Sequence, residues 1–265
     1  METSQRTALV TGASAGIGAT FARRLARDGY RLILVARRRE RLEELARELG
    51  GADVLAADLT RDDELKLVEE RILAEPNLEL VVNNAGFGVG GRFYRLPVEA
   101  NARMHQLHVM ATMRLAHAAL RAMTARDKGS LINVSSVAGF GQTPGSVSYC
   151  ATKAWINSFT EGLYLELKSA GSAVKVQALC PGFTHTGFHD TPEFKDDDIR
   201  ARVPKFMWMQ AEDVVDQSLK ALERGRVIYI PGFKNRLVAL AGRLGIMSLL
   251  NGVAGRLLRR QGIER

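Results

Sequence analysis

An apolar strand pattern from Thr7 to Val10 runs into Thr11-Gly-Ala-Ser-Ala-Gly-Ile-Gly18 and then into a helical pattern from Ala19 to Asp28. Few arrangements constrain a chain more tightly. Gly12 permits a tight turn, Gly16 lets a ligand come close to the backbone, and Gly18 allows the helix to pack closely on the strand. The start of a helix offers free N–H groups and a positive dipole end, so the backbone of Ser14, Ala15, Gly16, Ile17 and Gly18 is suited to an anionic ligand. Strand, glycine loop and helix together make the pattern a dinucleotide pyrophosphate site, although its spacing is G-x-x-x-G-x-G rather than G-x-G-x-x-G.

The rest of the chain repeats the strand–helix alternation. Arg31–Val35, Ala52–Ala57, Leu78–Val82, Leu131–Val134, Ala173–Leu179 and Val227–Ile230 read as further strands, with helical stretches between them and no linker. Among those helices, Pro97 to Arg126 reads as one long element. The prediction is α/β: a single doubly wound Rossmann-type domain with a parallel sheet of about seven strands and helices on both faces. Ligands of such sheets bind at the carboxyl ends of the strands. We place the domain over residues 1–232, with 192–209 as either a mobile substrate lid or a short helix packed on the core, and 233–265 as a basic amphipathic extension.

Composition narrows the class. With 46% hydrophobic and 25% charged residues, the expectation is a soluble globular protein, and the two cysteines point to a reducing cytoplasm rather than a disulfide scaffold. No apolar run reaches the length that crosses a bilayer. The net charge of +8 is uneven, for every charged side chain from Arg224 to Arg260 is basic. Such a tail can cover the active site, pair with a second subunit or touch an anionic membrane peripherally; nucleic acid is not the expected partner.

Arg37 and Arg38 directly follow the second strand, where an acidic residue would suit a free ribose 2′-hydroxyl and an arginine suits a 2′-phosphate. That points to NADP(H) over NAD(H). Asp58-Leu59 closes the third strand, where the carboxylate is placed either to accept from an adenine amino group or to cap the next helix. Asn83-Asn84-Ala85-Gly86 ends the fourth strand, and Pro181-Gly182-Phe183-Thr184-His185-Thr186 follows the sixth.

Ser136 follows the fifth strand, and thirteen residues later Tyr149 opens a helix with Lys153 one turn on. The i, i+4 spacing puts phenol and ammonium on one face, and a nearby positive charge is expected to lower the tyrosine pKa toward the working range of a general acid. Tyr164 and Lys168 repeat the spacing without a matching serine. His105, His108 and His117 lie in the long helix, but no neighbouring carboxylate or cysteine completes a ligand set, so no metal site is expected.

In this order these motifs resemble the short-chain dehydrogenase/reductase family over nearly the whole chain to about Gly232. The resemblance implies that Tyr149 exchanges a proton with the carbonyl oxygen, Ser136 hydrogen-bonds that oxygen, and Lys153 binds the nicotinamide ribose. It also implies that Thr186 and the backbone after Pro181 hold the carboxamide. His108 aligns with a family asparagine that helps hold a water in a proton relay to the lysine. Histidine can carry a proton, so the relay survives in altered form, runs through another group, or leaves His108 as a satisfied core residue. Phe87, Phe140, Phe183, Phe188, Met207 and Trp208 are candidate pocket residues and favour an apolar carbonyl or alcohol. The family implies a homodimer or homotetramer. The alternative is a non-catalytic NADP(H)-binding regulator, or a membrane-surface protein using the same fold.

Overall fold

The computed structural model describes residues 5–190 and 203–244. Seven strands form one parallel sheet among them: β1 (Thr7–Thr11), β2 (Arg31–Ala36), β3 (Asp53–Ala56), β4 (Leu78–Asn83), β5 (Ser130–Val134), β6 (Lys175–Leu179) and β7 (Ile228–Tyr229). Their order is β3-β2-β1-β4-β5-β6-β7. The order reverses between β1 and β4, which opens a crevice above their carboxyl ends. The helices are α1 (Gly16–Arg27), α2 (Arg39–Glu48), α3 (Asp62–Leu73), α4 (Val98–His105), α5 (Thr112–Thr124), α6 (Val147–Ser169), α7 (Ala211–Glu223) and α8 (Phe233–Arg243).

Alternate strand residues feed two cores. Ala8, Val10, Leu32, Leu34 and Ile132 pack with Phe21 and Leu25 of α1 and Val214 of α7. Leu9, Ile33, Val35, Val81 and Leu131 pack on the other face with Leu65 of α3 and Leu115 of α5. Both faces are covered, which is why the strands read as continuous apolar runs rather than as alternating ones. At the amino-terminal end of the sheet Glu75 is buried, 4% exposed. It accepts from Thr7 Oγ1 at 3.1 Å and from Arg71 Nη1 at 2.9 Å, and is also bound by Arg31.

One expectation needs correction. The stretch from Pro97 to Arg126 is not one regular helix: α4 and α5 are joined by a π-helical segment, Gln106–Ala111. Its wider i→i+5 turn carries His108 inward, to 1% exposure. After Gly232 the chain continues directly into α8. The helix buries Asn235 and Ala239, with Asn235 against Gly182 and Gly242 against the Phe140 carbonyl. Most of the proposed lid and the end of the basic tail, residues 245–265, lie outside the described residues. No described helix is long and apolar enough to cross a membrane.

Candidate active site

The glycine loop is built against two other strand ends. Gly12 has φ +65°, and a Cβ there would lie 2.7 Å from Asn84 Nδ2. Asn84 Nδ2 donates to the Thr11 carbonyl at 3.0 Å, and Thr11 Oγ1 accepts from the N–H groups of Asn84 and Ala85 at 3.0 Å each. The Asn84 amide therefore clamps the loop, and what it leaves for a cofactor is the backbone of Ala85 and Gly86. Gly18 sits on the Gly12 carbonyl, as close helix–strand packing requires. Gly16, at φ +55°, faces the Thr186 side chain, with 3.1 Å from its hypothetical Cβ to Thr186 Cβ. The helix runs from Gly16 rather than Ala19, so the free N–H groups start inside the glycine pattern.

These features fit a dinucleotide. α1 has no side-chain cap at Ala15 and no acidic residue in its first turn, whereas α3 opens with Asp62, Asp63 and Glu64. A helix left uncapped and without carboxylates keeps its dipole end available to a pyrophosphate. Arg38 Nη2 donates to Ser14 Oγ at 2.9 Å, which holds a guanidinium at the rim of the loop. Arg37 is exposed and makes no side-chain hydrogen bond among the described residues.

Asp58 does not cap α3, whose N-cap is Arg61. Asp58 Oδ1 accepts from Thr60 N at 3.0 Å and from Thr60 Oγ1 at 2.8 Å, an Asx turn that fixes the carboxylate beside the crevice. The Leu59 side chain is a core residue, 4% exposed, so only its backbone remains for a ligand. Thr184 is buried too. Its hydroxyl donates to the Gly182 carbonyl at 3.0 Å. Thr186 Oγ1 is 3.5 Å from the Thr184 carbonyl and accepts from Phe188 N at 3.3 Å. Gly182 and Pro181 sit beneath α8: a Cβ on Gly182 would overlap the Asn235 side chain.

Ser136, Tyr149 and Lys153 converge. Ser136 Oγ accepts from Ala138 N at 3.1 Å, capping a short turn at Val137–Phe140, and lies 3.5 Å from the Pro181 carbonyl; its hydroxyl is near enough to the Tyr149 phenol to favour the charged form. Burial pushes the phenol up to about 12, and the neighbouring Ser136 hydroxyl offsets only part of that. Lys153 is 5% exposed, and burial brings its ammonium down to about 8. Its Nζ donates to the Val134 carbonyl at 2.9 Å and stands 5.7 Å from the centre of the Tyr149 ring. The expected lowering of the tyrosine pKa by Lys153 is thus absent from the protein alone, because desolvation of the phenolate outweighs a charge held on another carbonyl. An ammonium has three N–H donors, and one is used by Val134, which leaves donors for ribose hydroxyls.

His108 has both ring nitrogens committed. Nε2 accepts from Phe87 N at 3.2 Å, and Nδ1 lies 2.9 Å from Thr152 Oγ1, which itself donates to the Tyr149 carbonyl at 2.9 Å. Because the Thr152 proton goes to Tyr149, Nδ1 carries the hydrogen and the ring is neutral. Burial, with Lys153 and then His105 adding repulsion, drives its pKa well below the ordinary histidine value. A proton relay through the imidazole, one of the two expectations for His108, has no free nitrogen to pass through.

The candidate pocket aromatics divide. Phe188 lies 6.1 Å from the Tyr149 ring, and Phe87 lies 6.2 Å from His108. Phe183 and Trp208 meet at 5.4 Å, with His185 stacked on Trp208 at 5.1 Å. Met207 ends the short turn before Trp208. Phe140 is instead taken up by α8, its ring under Arg243 at 4.7 Å and its carbonyl against Gly242. Thr152, His185 and Asn235 were not singled out from the sequence. Thr152 shares a turn with Tyr149 and His185 lies within the Pro181–Thr186 stretch, but nothing local marks Asn235.

The short chain dehydrogenase family model matches residues 6–196. An uncharacterized oxidoreductase of Staphylococcus epidermidis is 33% identical over 223 residues, covering 82% of this chain and 91% of that protein. A short-chain dehydrogenase from Sphingobium yanoikuyae, solved in complex with NADPH, superposes with a TM-score of 0.80 at 37% identity, covering 92% of this chain and 95% of that one. A bulky-bulky ketone specific alcohol dehydrogenase from Comamonas testosteroni gives 0.77 at 34% identity, over 93% and 95% of the two chains. With the glycine loop, the Ser136–Tyr149–Lys153 convergence and a match over most of its length, the chain belongs to the short-chain dehydrogenase family of oxidoreductases.

Proposed function

We propose that this protein is an NADP(H)-dependent oxidoreductase that interconverts a carbonyl and an alcohol on a lipophilic small molecule, with Tyr149 as general acid and base. The observation that carries the reading is that Lys153 Nζ, buried on the Val134 carbonyl at the carboxyl end of β5, stands 5.7 Å from the centre of the Tyr149 ring, with the Ser136 hydroxyl beside the phenol. A nicotinamide held in this crevice would supply the hydride. Tyr149, kept neutral by burial, holds the proton that a reduced carbonyl oxygen needs, and Ser136 presents a hydroxyl to the same oxygen. Lys153 offers its remaining N–H donors to the ribose, and the uncapped start of α1 receives the pyrophosphate.

Arg38 at the loop rim favours a 2′-phosphate. A lipophilic substrate is supported by Phe188 beside Tyr149, with Phe87 next to His108 and the Phe183–Trp208 pair beyond. The similarity to a ketone-specific alcohol dehydrogenase agrees with a carbonyl substrate. Outward-facing Val98, Met110, Val147 and Leu165 are exposed apolar residues that suit self-association as a dimer or tetramer. The test is Tyr149→Phe, assayed by NADPH oxidation over a panel of apolar ketones and aldehydes. Turnover is expected to fall by about 10³-fold or more while NADPH affinity stays within about threefold. Wild-type turnover in that variant overturns the mechanism.

A further inference from the structure

We propose that His108 is a positioning residue for Tyr149: a permanently neutral strut that ties the loop after β4 to the first turn of α6 and walls one side of the phenol ring. The proposal rests on the reading of Tyr149 as the acid and base. Three observations converge on it. The ring bridges Phe87 N and, through Thr152 Oγ1, the carbonyl of Tyr149 itself. Its edge meets the Tyr149 ring at 5.9 Å with 68° between planes, opposite in kind to the tilted Phe188 contact at 6.1 Å. And Gly86 is shaped to it, since a Cβ there would come within 2.7 Å of Nε2.

The π-helical segment explains how the bridge is reached. The wider turn at Gln106–Ala111 carries the imidazole that bonds both the loop after β4 and, through Thr152, the first turn of α6. The two bonds demand opposite roles, an acceptor at Nε2 and a donor at Nδ1, and the neutral Nδ1–H tautomer supplies both. Protonation would set two N–H groups against each other at Phe87. The charged and titratable groups facing the ring are Lys153 and His105, both repelling a positive imidazole, and the Tyr149 phenol. A strut of this kind acts on catalysis through the place of the phenol, not through proton supply.

Asparagine and leucine substitutions separate the two roles. The amide of His108→Asn overlays the Nδ1 side of the ring and keeps a donor toward Thr152 without any titrating proton, whereas His108→Leu keeps neither bond. Positioning predicts that H108N retains kcat within about tenfold, and that H108L and Thr152→Val each lose about 10²-fold, as a misplaced reacting group does. The pH dependence of kcat should keep its limbs in all three, with little change in KM. Nitrogen-15 spectra of the full-length protein supply a readout that needs no turnover and no folded leucine variant. They should show His108 with its proton on Nδ1, without titration between pH 5 and 9. The proposal is overturned by H108N as inactive as H108L, by a pH limb that moves, by wild-type kcat in T152V, or by an Nε2–H or titrating imidazole. Failure of the acid/base reading itself would show instead in Tyr149→Phe, which leaves the nitrogen-15 pattern intact.

Discussion

Lys153 turns its Nζ onto the Val134 carbonyl at 2.9 Å and stands 5.7 Å from the centre of the Tyr149 ring. In the protein alone this lysine is a buried cation held by one neutral acceptor, and its pKa falls from 10.5 to about 8. Between those values the unfolded chain binds more protons than the folded one, so stability rises with pH from about 8 to 10.5. Below about 8 the penalty is fully present. Lys153→Met should therefore stabilise the cofactor-free protein at pH 7 by about 1–2 kcal/mol, after the lost hydrogen bond to Val134 is discounted. It should also flatten the pH dependence above 8 and abolish turnover. Urea midpoints at pH 7 and 9.5 check the sign; a destabilised variant at pH 7 contradicts it.

Arg38, not Arg37, is anchored at the glycine loop, with Nη2 on Ser14 Oγ at 2.9 Å. A charge-assisted hydrogen bond to phosphate contributes about 1.5–3 kcal/mol. Arg38→Asp is expected to lower the NADPH-to-NADH preference by about 10- to 100-fold, and Arg37→Asp by less than about threefold. Fluorescence titrations with both cofactors measure this, and the reverse ranking would move the phosphate to Arg37.

Glu75 has its carboxyl at about 2, against an ordinary 4.5. Burial alone would raise it, but hydrogen bonds from Arg31, Arg71 and Thr7 prevail. A depressed carboxylate contributes stability above the unfolded pKa and loses it as pH falls through the folded one. About 3 kcal/mol should disappear between roughly pH 5 and pH 2. Glu75→Gln should lose a comparable amount at pH 7 and show a shallower acid transition by circular dichroism. An unchanged acid limb in the variant removes Glu75 as its source.

Gly182 lies under Asn235 of α8, and Asn235 Nδ2 donates to the Pro231 carbonyl at 2.9 Å. Gly182→Ala should cost about 1–3 kcal/mol through overpacking, and Asn235→Ala in the same chain should recover part of it. Strict additivity of the two changes in chemical denaturation would show that they do not touch.

Much of this protein is written locally. The strand at Thr7, the glycine pattern to Gly18 and the later alternation determine a parallel sheet, because each signal depends on backbone geometry within a few residues. Ser136, Tyr149 and Lys153 were legible for the same reason, as spacing relative to a strand end and a helix start. Tertiary structure decided what each side chain faces. The Asn84 amide is spent on Thr11, Thr184 on Gly182, and Phe140 on Arg243, partners 73, 2 and 103 residues away. Even the near partner at Gly182 depends on how its loop is folded. The direction of the Tyr149 pKa also depended on packing, since desolvation is a property of everything that surrounds the phenol, whereas the i, i+4 lysine is only one of its neighbours. The neutral, saturated state of His108 follows from a π-turn that brings it between Phe87 and Thr152, groups 21 and 44 residues from it, and no period in the sequence encodes that meeting.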